Sequence, residues 1–139
     1  MEGTNRRLMW NGMFLFLLGL LTGFAERQFA NMRMGLAAHL EGVMNGTFLV
    51  ALGAVWIEVR LPPRTKVITY WTALYGTYAN WFFTLLAAAF GTTILSPITG
   101  AAHSAPPWQE SVVGIGFQTV GVAIVACSVL VLWGLRRKA

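Results

Sequence analysis

Charge is what this chain has least of. Acidic residues number five, and charged residues of every kind make up 11% of the 139 positions. That is too little for a soluble globular domain of this size. Cysteine occurs once, at Cys127, so neither an internal disulfide nor a thiolate metal cluster can be built within one chain. Cys127 reads as a small apolar packing residue in the last helix. Histidine occurs twice, at His39 and His103. A closed zinc site takes about four N, S or O ligands, which this chain cannot supply without oligomerising. Neither a phosphate-cradling loop nor a dinucleotide fingerprint is present, which sets NAD chemistry aside.

What the chain has instead is apolar length. Hydrophobic residues make up 56% of it, and the mean hydropathy is +0.61. A helix needs roughly 20 mainly apolar residues to cross a bilayer. Four runs meet or approach that length: Leu8 to Ala25, Met34 to Ile57, Val67 to Gly91 and Ser111 to Gly134. They use most of the chain and leave no room for a soluble catalytic domain. The expectation is all-α, a single integral membrane four-helix bundle over residues 1–139.

The formal charge is +5, but the cations sit at the ends of the runs rather than in a stripe with interleaved aromatics, so no nucleic-acid partner is expected. Arg6 and Arg7 precede the first run, Arg60, Arg64 and Lys66 separate the second from the third, and Arg136, Arg137 and Lys138 follow the fourth. Eight of the ten cations thus share one side, with Arg27 and Arg33 opposite. The positive-inside rule then puts both termini in the cytoplasm of a multi-pass protein. A secretory signal is the competing reading of the N-terminus. Removing the first run would leave an odd number of spans with a weaker charge asymmetry.

Along the chain, Gly19 and Gly23 of the first run form a small-xxx-small pair, and Gly42 and Gly46 form another in the second. Such pairs allow helices to approach closely in lipid, although glycine is also simply common in membrane helices. Trp10 and Asn11 suit an interfacial first turn. Pro62 and Pro63 end the second helix. On the third, Thr77, Asn80 and Thr84 form a polar line with Trp81 beside it, a face that should point into a bundle or cavity. Asn80 reads equally as an interhelical hydrogen-bonding residue. The long loop that follows, with Pro97, His103, Pro106, Pro107 and Trp108, is expected to lie over the extracytoplasmic end as a lid or interfacial loop, with His103 solvated. The fourth run reads as packing.

One run carries reactive side chains in its interior. Gly35 to Trp56 holds His39, Glu41 and Asn45, while the other three hold no acidic, basic or histidine side chain inside. A charged group in hydrocarbon costs about 3 kcal/mol or more, so such residues mark function. At about 1.5 Å per residue, Asn45 and Asn80 fall at similar depth, with Thr84 near the level of His39. At about 100° per residue, Asn45 lies close to the Glu41 direction, whereas His39 points nearly the opposite way. Two functional faces on one helix suit an oligomer. Glu41 has three readings: protonated, facing a water-filled vestibule, or paired with Arg27 or Arg33. His39 reads either as a hydrogen-bonded core residue or as a metal ligand. Haem asks least of the chain, since one imidazole can hold the iron and leave the opposite position open.

The segments MGLAAHLEGVMNGTFLVALGAVW, LYGTYANW, LLAAAFGT, LMWNGMFLFLLGLLTGF and PWQE closely resemble hydroxylaminobenzene mutase, a small bacterial integral membrane enzyme family. A more distant similarity is to styrene oxide isomerase. The resemblance implies conversion of an aromatic hydroxylamine to 2-aminophenol by intramolecular hydroxyl transfer, in the bacterial inner membrane, by a homo-oligomer expected to be a trimer. The more distant likeness, to styrene oxide isomerase, carries His39 over as the axial ligand of haem b, with Asn45 and Asn80 as polar pocket residues, and Trp81, Phe82 and Phe83 are candidate aromatic walls. If haem is absent, Glu41 becomes the leading catalytic acid; with haem, Glu41→Gln should lower activity only modestly. The epoxide isomerase has an acidic residue shortly before its Ala-Asn, where this chain has Gly76 and Thr77. Isomerisation of an aryl epoxide is the alternative reaction, and a small multidrug transporter the alternative class. Such transporters usually place a carboxylate in the middle of the first helix, and Met9 to Ala25 has none.

Overall fold

The chain, described here for residues 2–136 in a computed structural model, is a succession of four helices with no strand among the described residues. These are α1 (Glu2–Ala25), α2 (Met32–Val55), α3 (Pro63–Phe90) and α4 (Pro107–Arg136), with a single 3-10 turn, Glu26–Gln28, between the first two. Arg137 and Lys138, two of the flanking cations, lie outside the described residues.

Local chemistry sets the boundaries. The buried Asn31 side chain accepts from the Met34 amide at 3.2 Å and caps the start of α2. Proline opens α3 and α4, where its missing N–H costs nothing. Gly91, at φ 73°, ends α3 in the left-handed conformation that glycine adopts freely. Each helix runs past its apolar stretch at one or both ends, because backbone hydrogen bonding continues into the interfacial zone.

Among the described residues, α1, α2 and α4 are long and apolar enough to cross a membrane. The 28-residue α3 has the length but less apolarity. Its threonine hydroxyls turn back on their own helix, as when Thr69 donates to the Thr65 carbonyl at 2.9 Å and Thr77 to that of Ala73 at 2.7 Å.

The helices pack in chain order. Helix α1 lies on α2, α2 on α3 and α3 on α4, with α1 also reaching α3 at a few points, while no Cα of α4 comes within 8 Å of one in α1 or α2. The bundle is therefore open on one side. The α1–α2 seam is built on the small residues singled out in the sequence. A Cβ on Gly19 would lie 2.5 Å from the Val43 nitrogen, and one on Gly46 would lie 2.5 Å from that of Phe16. No side chain larger than hydrogen fits there, which settles the glycines of this seam as packing devices.

One core cluster gathers Leu8, Leu15, Leu49, Trp56 and Cys127 toward the N-terminal end. Cys127 is buried, as a packing residue should be. A second cluster sets Met34, Ala87, Ala88 and Val113 under the long loop.

Candidate active site

Glu41 and Asn45 are one turn apart on α2, and Asn80 faces them from α3. The amide nitrogens of Asn45 and Asn80 both donate to the same carboxylate oxygen, Oε2 of Glu41, at 3.0 and 2.5 Å. The equal depth expected for the two asparagines is thus realised through one shared acceptor. Glu41 is half-buried. Its partners are the two amides rather than Arg27 or Arg33, and the Arg33 guanidinium instead donates to the Ala101 carbonyl at 3.2 Å. Thr84 continues the polar line, giving its hydroxyl proton to the Asn80 carbonyl at 2.7 Å.

Beside this cluster lies a pocket of about 310 Å³. Helix α2 supplies Met34, Ala37 and Glu41, α3 supplies Asn80 and Thr84, and α4 supplies Phe117. Leu95, Ser96 and Thr99 close it from the α3–α4 loop, residues 91–106. Its volume sits at the small end of the range for organic ligands, about 300–1,000 Å³, which suits a single aromatic ring with a polar substituent.

The loop is tied down at several points, as a lid over the pocket requires. The Glu110 carboxylate, in the first turn of α4, accepts from the backbone N–H of Thr93 at 2.9 Å and of Ile94 at 2.9 Å. The Asn31 amide donates to the Thr99 carbonyl at 2.7 Å. His103, expected to be solvated, is half-buried, with Nδ1 3.1 Å from the Ala101 carbonyl and Nε2 3.2 Å from that of Ala30. It bridges the loop to the lead-in of α2. Leu95 holds a left-handed φ of 57° where it meets the pocket, a conformation uncommon for a non-glycine residue.

His39 stands apart from this pocket. Its Nδ1 lies 2.8 Å from the Gly19 carbonyl on α1. A carbonyl only accepts, so Nδ1 is the donor in this contact, and Nε2 is the ring nitrogen it leaves open. The ring rests over Gly23, where a Cβ would lie 2.8 Å from Nδ1. Backbone fixing of one ring nitrogen while the other stays open is the arrangement of a histidine that ligates a metal. His39 is the residue that would hold a haem iron, through Nε2. Among the described residues, no three His, Cys, Asp or Glu side chains converge on a common point.

The aromatic wall differs from the expected one. The Trp81 indole donates to the Thr22 hydroxyl at 3.1 Å and is engaged with α1. Phe82 is exposed, and Phe83 fills the space left by Gly116. Phe117 of α4 takes the role instead. Periodicity in α3 alone does not reveal this, because α4 reads as uniformly apolar. Glu110 was likewise missed as an anchor, although a carboxylate just after Pro-Pro at a helix start is a visible capping signal.

A polar cluster enclosed by apolar helices, over a pocket for one small molecule, defines a compact helical membrane enzyme. The chain belongs to the styrene oxide isomerase family, whose sequence profile matches residues 4–136. Hydroxylaminobenzene mutase HabB of Ectopseudomonas oleovorans is 43% identical to it over 132 residues, covering 94% of this chain and 80% of the relative. Hydroxylaminobenzene mutase HabA of the same organism is 39% identical over 131 residues, covering 94% of this chain and 97% of the relative. No solved structure matches it. The chain is thus a membrane isomerase of the mutase kind.

Proposed function

We propose that this isomerase converts hydroxylaminobenzene to 2-aminophenol in the bacterial inner membrane, as a four-pass protein with both termini cytoplasmic. The observation that carries the site assignment is the single Glu41 oxygen held by Asn45 and Asn80 at the wall of the pocket. The relatives' names supply the substrate.

The reaction is a rearrangement with no net redox change. The N–O bond breaks, the hydroxyl becomes bonded to the ortho carbon, and the hydrogen on that carbon leaves as a proton while the nitrogen gains one. The chain's residues serve this proton movement. Glu41 takes the proton from the ring carbon and returns one to nitrogen, and the two amides fix the orientation of its carboxylate. Phe117 holds the ring, and Leu95, Ser96 and Thr99 of the loop border the pocket on its outer side. A haem b held by Nε2 of His39 would supply Lewis acidity toward the hydroxylamine oxygen. Because His39 lies outside the pocket of its own chain, this reading requires assembly, and we assign a homotrimer in which neighbouring copies complete each site.

Purified protein in detergent, given hydroxylaminobenzene without NAD or an ion gradient, should form 2-aminophenol. Glu41→Gln should lower kcat by about 100-fold or more, the usual worth of a positioned proton-transfer group. This exceeds the modest loss that the family resemblance alone implies, because two amides hold the carboxylate at the pocket wall. A Soret band lost together with activity in His39→Ala supports the haem. Full activity in colourless protein refutes it, and gradient-driven uptake without product would reassign the chain as a transporter.

The family match favours one second reading, isomerisation of an aryl epoxide. Against it, the hydroxyl of Thr77, where the epoxide enzyme has its acidic residue nearby, is buried and bonded to the Ala73 carbonyl. Conversion of styrene oxide in preference to hydroxylaminobenzene would establish that reading.

A further inference from the structure

A second cavity, of about 720 Å³, opens at the other end of the molecule, where α1 begins and α2 joins α3. Arg7 reaches it from α1, Arg60 from the α2–α3 connection and Lys66 from α3. Among the described residues, no acidic side chain lines it. The Lys66 ammonium stands 5.4 Å from the centroid of the Trp56 ring, which turns its charge along an aromatic wall. The mouth is apolar and outward-facing, with Ile57 67% and Trp71 62% exposed.

A topology signal requires cations at a helix end but no cavity for them to share. Convergence of three cations from three elements on one hollow, beside an apolar exit, asks for a ligand with an anionic head and a hydrocarbon tail. We propose that this cavity binds the phosphate headgroup of an anionic phospholipid, whose acyl chains leave over Ile57 and Trp71 into the bilayer. The apolar mouth favours a lipid over free phosphate, for which that exit has no use. The site is separate from the Glu41 pocket and does not depend on the reaction proposed there.

The test measures lipid binding to full-length protein in phosphatidylcholine nanodiscs. Phosphatidylglycerol is titrated in and bound lipid is counted by native mass spectrometry, with inorganic phosphate as a parallel arm. Each cation near such a headgroup is worth roughly fivefold in affinity. The Arg7→Gln, Arg60→Gln, Lys66→Gln triple variant should therefore bind phosphatidylglycerol on the order of 100-fold more weakly. A charge-matched triple variant, Arg6→Gln, Arg64→Gln, Arg136→Gln, removes exposed cations outside the cavity and should lose no more than a few-fold. Equal losses in the two would overturn the proposal and leave only a diffuse cationic surface. Phosphate binding as tight as the lipid's would overturn the lipid assignment. If the first triple variant fails to fold in phosphatidylcholine, Lys66→Gln alone is read against the same fivefold expectation, and an unchanged affinity in it overturns the site.

Discussion

Asn45 and Asn80 act on one atom, so their contributions should not add. Removing either amide leaves Oε2 of Glu41 with a single donor and a looser carboxylate, and removing the second takes away a partner whose orienting effect is already spent. Asn45→Ala and Asn80→Ala should each lower kcat about tenfold or more, and the double variant should fall well short of the product of the two, as for residues working as a unit. Multiplicative losses would show that the amides contact substrate independently. Gly23 gives a second residue-scale expectation. A methyl there would lie 2.8 Å from His39 Nδ1, pushing the ring off the Gly19 carbonyl. If haem binds as proposed, Gly23→Ala should shift the Soret maximum and weaken haem retention while the Glu41 cluster stays intact. An unchanged spectrum in the variant would detach His39 from the haem.

Among the elements, the α3–α4 loop depends most on one side chain. Glu110→Ala strands the Thr93 and Ile94 N–H groups that it now satisfies, a loss of about 1–3 kcal/mol that should appear as faster proteolysis within 91–106 and a raised KM, with the transmembrane core unaffected. Proteolysis unchanged from wild type would mean that the other anchors suffice. Much of this level was legible in the sequence. Apolar length located the helices, and the Thr77, Asn80, Thr84 line announced an inward polar face; Pro62 and Pro63, read as the end of α2, instead precede and open α3, α2 having ended at Val55. The spacing of Glu41 and Asn45 placed them one turn apart. The partnership of Glu41 with Asn80 stayed hidden, since interhelical rotation is not written in either helix alone. Phe117 was invisible for a related reason: α4 carries only scattered polar residues, with no periodic polar stripe to mark the face that meets the pocket. The backbone groups that Glu110 caps have no side-chain signature, which is why the anchor went unread.

At the scale of the whole molecule, the open side of the bundle bears on assembly. If His39 holds a haem and the Glu41 cluster moves the proton, as proposed, the two lie apart on α2 and the protein should be active as an oligomer and inactive as a dispersed monomer. Mixing His39→Ala with Glu41→Gln chains should restore some turnover if neighbouring copies complete each other's sites. No restoration in confirmed mixed oligomers would place the whole reaction within one chain.

Because each helix packs chiefly on the one before it, the order of contacts is also an order of assembly during synthesis. The α1–α2 hairpin, closed by its glycine seam, can form as soon as residue 55 has left the ribosome and entered the bilayer. Helix α3 carries too many hydroxyls and amides to partition with the ease of its neighbours. Its entry into lipid should therefore depend on a hairpin already waiting to receive Asn80. Chains truncated after residue 106 should integrate α3 efficiently when α2 is intact and poorly when Glu41 and Asn45 are both replaced by leucine. The polar cluster proposed for the chemistry would then also serve as the handle by which the translocon passes α3 sideways into the membrane.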